Sequence, residues 1–217
     1  MSDKPIIFSA PMVRALLAGR KTQTRRVLKP QPEFRGGCGD WHDAEEWGWE
    51  TEDGDQLSVL DIAPNGYHRG DRLWVREAWR FDIEWDDCKP SDFDRADAIC
   101  YEADGHHETR AWGHPFNLGR LRSPIHMPRW ASRLTLTVTD VRVQRLQDIS
   151  EADAVAEGVD AVTMEDVPRQ AAMSRRSDFT TLWNSIHGPK AWDANPWVCA
   201  ISFTVTHQNI DQIGGEA

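Results

Sequence analysis

The chain carries no paired-cysteine motif. Its four cysteines, Cys38, Cys88, Cys100 and Cys199, are scattered without a CxxC. That argues against a disulfide framework and fits reduced thiols in a cytosol. No apolar run approaches the roughly 18 residues of a membrane span, and the first residues lack the apolar stretch of a signal peptide. The expectation is a soluble cytoplasmic protein with no membrane association. G-x-S-x-G, P-loop and dinucleotide-binding fingerprints are missing, so no nucleotide cofactor is expected. Metal-ligand spacing is missing too. Cys38-x3-His42 and the group His106, His107 and His114 hold possible ligand atoms, but no second paired motif accompanies them. Exposed loop histidines, and no metal, are the expectation.

One absence is local. From Lys4 to Pro32 there is no Asp or Glu, while seven Lys or Arg occur. The whole chain has a formal charge of −10, so everything outside that stretch sums to −10 − 7 = −17. A protein this acidic is repelled by polyphosphate on average. A cation cluster within it therefore marks a small, defined anion site rather than general coating of nucleic acid. The centre of the cluster is Gly19-Arg20-Lys21-Thr22-Gln23-Thr24-Arg25-Arg26.

The length of 217 residues fits one domain with insertions, and 11 Trp add buried area to a modest apolar fraction. Pro5 to Phe8 predicts a strand. Ser9 and Pro11 open a helix whose apolar face is Met12, Val13, Leu16 and Leu17, with Gly19 as its stop. Lys21 and Thr24 then fall in the connection leaving that helix. Residues 30 to 66 have weak periodicity and predict a polar insertion with a hairpin around Trp47 to Leu60. Arg69-Gly70-Asp71 predicts a turn into an alternating strand from Arg72 to Glu77. A second polar insertion covers 82 to 120, with a strand at Ala98 to Glu102. Arg133 to Arg145 predicts a long strand whose phase switches near Asp140. Ser150 and Asp153 cap a helix that ends near Gly158. Phe179, Leu182, Trp183 and Ile186 mark another helix, ended by Gly188, and Trp197 to Val205 a closing strand. Residues 208 to 217 are expected to be a tail on a single domain, 1–207. Long strands with a few short helices predict an α+β fold, a small mixed β-barrel with two polar insertions.

Several of these pieces, in this order, resemble the ASCH family, a branch of the PUA-like barrels. They are Leu16-Leu17-Ala18-Gly19-Arg20-Lys21-Thr22-Gln23-Thr24-Arg25, Gly70-Asp71-Arg72-Leu73-Trp74-Val75, Leu136-Thr137-Val138-Thr139-Asp140-Val141, Ala156-Glu157-Gly158-Val159 and Trp197-Val198-Cys199-Ala200-Ile201-Ser202-Phe203. The match covers about half the chain, and G-R-K-T-x-T-x-R is its most specific part. The longer form, with His126-Met127-Pro128-Arg129-Trp130, is similar to ASCH proteins of bacteriophages and prophages. The resemblance implies a cleft used on nucleosides or nucleic acid. Some small ASCH proteins are amidohydrolases of N(4)-acetylcytidine, working through a Lys, a Thr and a Glu. The residues here that match those three are Lys21, Thr24 and Glu157.

Each residue also has an ordinary explanation. Lys21 is a solvated cation unless burial and the like charges of Arg20, Arg25 and Arg26 lower its pKa. Thr24 is either a nucleophile served by a neutral Lys21 or a β-former at the start of a strand, with Thr22 as the competing hydroxyl. Glu157 sits in a last helical turn, where the helix dipole disfavours a negative charge. It either faces Lys21 or is a tolerated surface carboxylate. Arg20, Arg25 and Arg26 grip a phosphate or a base edge, or pair with the abundant acids. Trp74, Trp79 and Trp130 are the aromatics able to stack on a base, with Trp74 assigned to substrate, although most of the 11 Trp must be core. An amidohydrolase acting on a modified nucleoside is the first expectation. A non-catalytic module binding RNA, DNA or a modified base is the second. An accessory factor with only an interaction role is the third.

Overall fold

The structure is a computed structural model, and it describes residues 2–34, 47–50, 56–58, 66–92, 99–105, 117–159 and 174–213. The chain runs β1 (Asp3–Ile7), α1 (Ala10–Leu17), β2 (Gln23–Val27), β3 (Glu33–Phe34), β4 (Trp47–Glu50), β5 (Gln56–Ser58), β6 (Arg72–Arg76), β7 (Trp79–Phe81), β8 (Ile99–Tyr101), β9 (Thr135–Arg145), α2 (Glu151–Ala156), α3 (Arg175–His187) and β10 (Trp197–Thr206). The fold class is α+β. The largest sheet has five strands in the order β1-β6-β9-β10-β2. In it β1 and β6 are parallel, whereas β6 pairs with β9 and β2 with β10 antiparallel. A three-stranded sheet, β3-β4-β5, and a two-stranded one, β7-β8, complete the described strands. Among the described residues no helix is long and apolar enough to cross a membrane.

The chain divides into two compact units. The first comprises Met1–Gly19, Gly70–Thr137 and Thr204–Ala217. Its core gathers Trp79, Phe81, Ile99, Tyr101, Met127 and Ala131. Ile99 and Tyr101 come from the segment expected to be a polar insertion. That segment supplies core because β8 pairs antiparallel with β7 and turns both side chains inward. The stretch expected to be a tail is packed over its described part. The Asn209 amide donates to the carbonyls of Arg129, Trp130 and Ser132, and Ile210 is fully buried.

The second unit comprises Arg20–Arg69 and Val138–Phe203. Leu146, Ile149, Ala154, Phe179, Trp183 and Val198 form its core, with Val27 and Trp192 packed against them. Helix α3 buries Phe179 and Trp183, but Ile186 is exposed, against the sequence expectation. The helix is near its end there, and Gly188 (φ 103°) turns the chain away. The hairpin expected around Trp47 is present as β4 and β5. The Arg145 guanidinium lies over both Trp47 and Trp197, 4.3 and 4.5 Å from their ring centroids. The two rings also touch each other, their centroids 5.7 Å apart, and this shared cation–π contact ties the hairpin to β10. The switch of phase expected in β9 shows as two successive exposed residues, Thr139 and Asp140.

Candidate active site

The basic segment is placed by backbone bonds at both ends of Thr22. Its N–H donates to the Ala156 carbonyl at 2.8 Å, and its carbonyl accepts from the Phe203 N–H at 2.9 Å. The connection is thereby held against the end of α2 and the edge of β10. Gly19, with φ +67°, supplies the left-handed turn that leaves α1. Thr24 lies within β2, opposite Ile201, and not in the connection as the helix stop alone suggested. Main-chain pairing with β10 overrides the irregular reading of this short polar stretch.

Helix α2 delivers the carboxylates. Ser150 caps it by accepting from the Asp153 N–H at 3.0 Å, and Gly158 (φ 81°) ends it. Asp153 and Glu157 are four residues apart and so share one face of the helix. Glu157 is the C-terminal cap and is buried. Its position at a helix C-terminus is explained by a cation from another element. The Lys21 ammonium donates to the Glu157 main-chain carbonyl at 2.8 Å and to its carboxylate Oε2 at 2.7 Å. One buried amine thus satisfies an orphan carbonyl of the helix end and offsets the charge that the dipole disfavours.

Arg25 completes the cluster. Its Nη1 donates to Glu157 Oε1 at 3.1 Å and to Gln23 Oε1 at 2.6 Å, and its Nη2 lies 3.2 Å from Asp153 Oδ2. The guanidinium is over the Phe179 ring, 5.8 Å from its centroid. Gln23 Nε2 donates to Asp153 Oδ1 and to Ser202 Oγ, and Arg142 Nη2 reaches Asp153 Oδ1 at 3.1 Å. The segment's acid-free composition suggested a site for an external anion. In the fold, Arg25 instead pairs with this protein's own carboxylates.

Burial is the main influence on Lys21. It drives the amine below the usual lysine pKa. Glu157 opposes that shift through its charge and hydrogen bond, and the charges of Arg26 and Arg25 add to it. Arg26 is likewise lowered, by burial first. For Asp153, burial pulls the carboxyl up, but the Arg25 charge and hydrogen bonds from Arg142 and Gln23 reverse that. The group ends below the usual carboxylate range.

The structure brings Lys21, Arg25 and Glu157 into direct contact. Thr24 is buried on β2, and strand alternation turns its side chain to the face opposite Gln23 and Arg25. Arg26 shares that opposite face and is half-buried, while Arg20 and Thr22 are exposed. Trp74 belongs to the first unit, on β6, with the Arg76 guanidinium 5.2 Å from its ring centroid. Gln23, Asp153 and Arg142 were not anticipated from sequence. Asp153 was within reach, because its spacing of four from Glu157 on a capped helix puts both on one face. Nothing local marks Arg142. The candidate metal ligands Cys38, His42, His106, His107 and His114 lie outside the described residues. Among the described residues no group of three or more His, Cys, Asp or Glu is placed to hold a metal ion.

Compared with protein-family models, curated proteins and solved structures, the chain matches none.

Proposed function

We propose that this chain is an amidohydrolase that removes an acyl group from the exocyclic amine of a cytidine-type nucleoside. In this reading its five-stranded sheet belongs to an ASCH-type, PUA-like mixed barrel. The observation that carries the proposal is the buried contact between Lys21 and Glu157, with the lysine pushed toward its neutral form. A neutral amine is a base, and a carboxylate that accepts its hydrogen bond fixes where it points. Resemblance to the acetylcytidine amidohydrolases at Lys21, Thr24 and Glu157 supplies the substrate class.

In the proposed reaction, Lys21 takes the proton of the Thr24 hydroxyl as Oγ1 attacks the acyl carbonyl carbon. The tetrahedral intermediate collapses by breaking the carbon–nitrogen bond. The proton on Lys21 passes to the leaving amine. Water then attacks the resulting ester and gives a proton to Lys21, which passes it to Thr24 Oγ1 as the acyl carbon–oxygen bond breaks, releasing the carboxylic acid and regenerating both groups. Glu157 holds the lysine amine throughout. Thr24 faces away from Gln23 and Arg25, so its hydroxyl and the exposed one of Thr22 are tested side by side.

The test is hydrolysis of N(4)-acetylcytidine followed by ultraviolet absorbance, with circular dichroism to verify folding. Wild type turns the nucleoside over, and Lys21→Met and Thr24→Ala are folded and inactive. Full turnover in both folded variants would defeat the mechanism.

A binding module is the second reading. Arg25 is committed to the buried network, so this reading draws on Arg20 and Arg26. It predicts salt-dependent capture of an oligonucleotide without turnover.

A further inference from the structure

The first unit holds a second concentration of cations, which the proposed reaction does not use. Asp86 organises it. Its main-chain carbonyl accepts from Arg120 Nη2 at 2.8 Å and from Arg122 Nη2 at 2.7 Å. Two guanidinium groups therefore converge on one oxygen. The Asp86 carboxylate accepts the Arg120 N–H at 2.7 Å and lies 3.8 Å from Arg122 Nη2. Gly119 permits this approach, since a Cβ there would come within 2.5 Å of Asp86 Oδ1. The carboxylate thus faces the Arg122 guanidinium, while that of Arg120 is held on the main-chain carbonyl.

Arg122 is held rigidly but is not satisfied. Its guanidinium packs over Trp79 and Phe81, 5.5 and 4.9 Å from their centroids, and only 11% of the side chain is exposed. Its Nε is buried without a hydrogen-bond partner. Burial first, and then the neighbouring Arg120 charge, weaken its hold on its proton. An anion in the groove meets the Arg120 and Arg122 guanidinium groups and offsets their like-charge repulsion.

The groove beside these arginines has a volume of about 590 Å³. Ser91, Ser123 and His126 add hydroxyl and imidazole groups to its wall, and Pro90, Leu121 and Pro128 add apolar surface. The volume lies within the roughly 300–1,000 Å³ of small-molecule sites. A tetrahedral, multiply charged oxyanion uses more of these donors than a planar carboxylate does. The apolar wall calls for a body attached to it.

We propose that this groove binds a phosphomonoester with a partly apolar body, of the size of a nucleoside monophosphate. The site shares no residue with the Lys21 cluster and does not depend on the proposed hydrolysis.

The experiment is calorimetric titration of the full chain with adenosine 5′-monophosphate, adenosine and inorganic phosphate, at low and moderate salt. The monophosphate is expected to bind at least tenfold more tightly than either fragment and to weaken as salt rises. Arg120→Gln, at an exposed position, and Arg122→Lys, which keeps charge and stem but loses the fork, each weaken it at least tenfold. Lys21→Met leaves binding unchanged. Equal binding of adenosine, no binding of the monophosphate, or unchanged affinity in both arginine variants would overturn the proposal.

Discussion

The Lys21 ammonium and the Glu157 carboxylate, 136 residues apart in the chain, lie 2.7 Å from each other with almost no exposure of either side chain. Each resolves a difficulty of the other. The carboxylate at the end of α2 gains the cation its helix dipole lacks, and the amine gains a partner that offsets part of its desolvation.

Lys21 should titrate below the ordinary lysine value because burial outweighs the Glu157 charge. Glu157→Gln removes an opposing influence and should lower the value further. Nuclear magnetic resonance of the lysine side chain across alkaline pH measures both. Between the folded value and the ordinary one, the unfolded chain binds the extra proton, so this group makes the fold more stable as pH rises. Chemical denaturation of Lys21→Met over the same window should lack that rise. A wild-type Lys21 titrating at or above the usual value would contradict the account.

Glu157→Ala should cost about 3–5 kcal/mol, because it leaves the buried Lys21 amine and the Arg25 guanidinium without their shared carboxylate. Lys21→Met should cost less, since Glu157 keeps its bond to Arg25. Urea denaturation of both single variants and the double variant decides this. A double variant as costly as the sum of the singles would mean the two residues are not coupled.

Acid should unfold the protein partly through Asp153. Its folded pKa is depressed, so its contribution is present above the usual aspartate value of about 3.9 and is lost as pH falls through the lower, folded value. Asp153→Asn should be less stable than wild type at neutral pH, and the difference should shrink below about pH 4. A constant difference down to strongly acidic pH would exclude this origin.

Cys199 should resist alkylation in the native state. It is fully buried on β10, and burial pushes its thiol up to about 12. Cys88 is only half-buried and should be modified first. Mass-spectrometric mapping after brief treatment with iodoacetamide at pH 8 separates the two. Labelling of Cys199 ahead of Cys88 would mean that β10 opens readily.

Gly119→Ala should destabilise the first unit by about 1–3 kcal/mol, the usual range for an intruding methyl group, because the new Cβ meets the Asp86 carboxylate. Thermal unfolding reads the loss. An unchanged midpoint would mean that the 82–92 segment moves aside without cost.

The sequence by itself determined the local elements, because each rests on local chemistry. Ser150 and Gly158 bound α2, Gly188 ends α3, and alternation marks β6, β9 and β10. The concentration of cations between Lys4 and Pro32, and the oddity of a carboxylate at the end of a helix, were also legible. Tertiary structure alone decided what those charges do. Side-chain type does not say which arginine faces a carboxylate and which faces solvent. Strand pairing of β2 with β10 chose Arg25 for the buried network, turned Thr24 and Arg26 to the other face, and left Arg20 exposed. The same limit hid Asp86, whose carbonyl gathers Arg120 and Arg122 only once Gly119 is folded against it. Desolvation completes the division, since an amine's proton affinity depends on what surrounds it, and only the folded chain buries Lys21 beside Glu157.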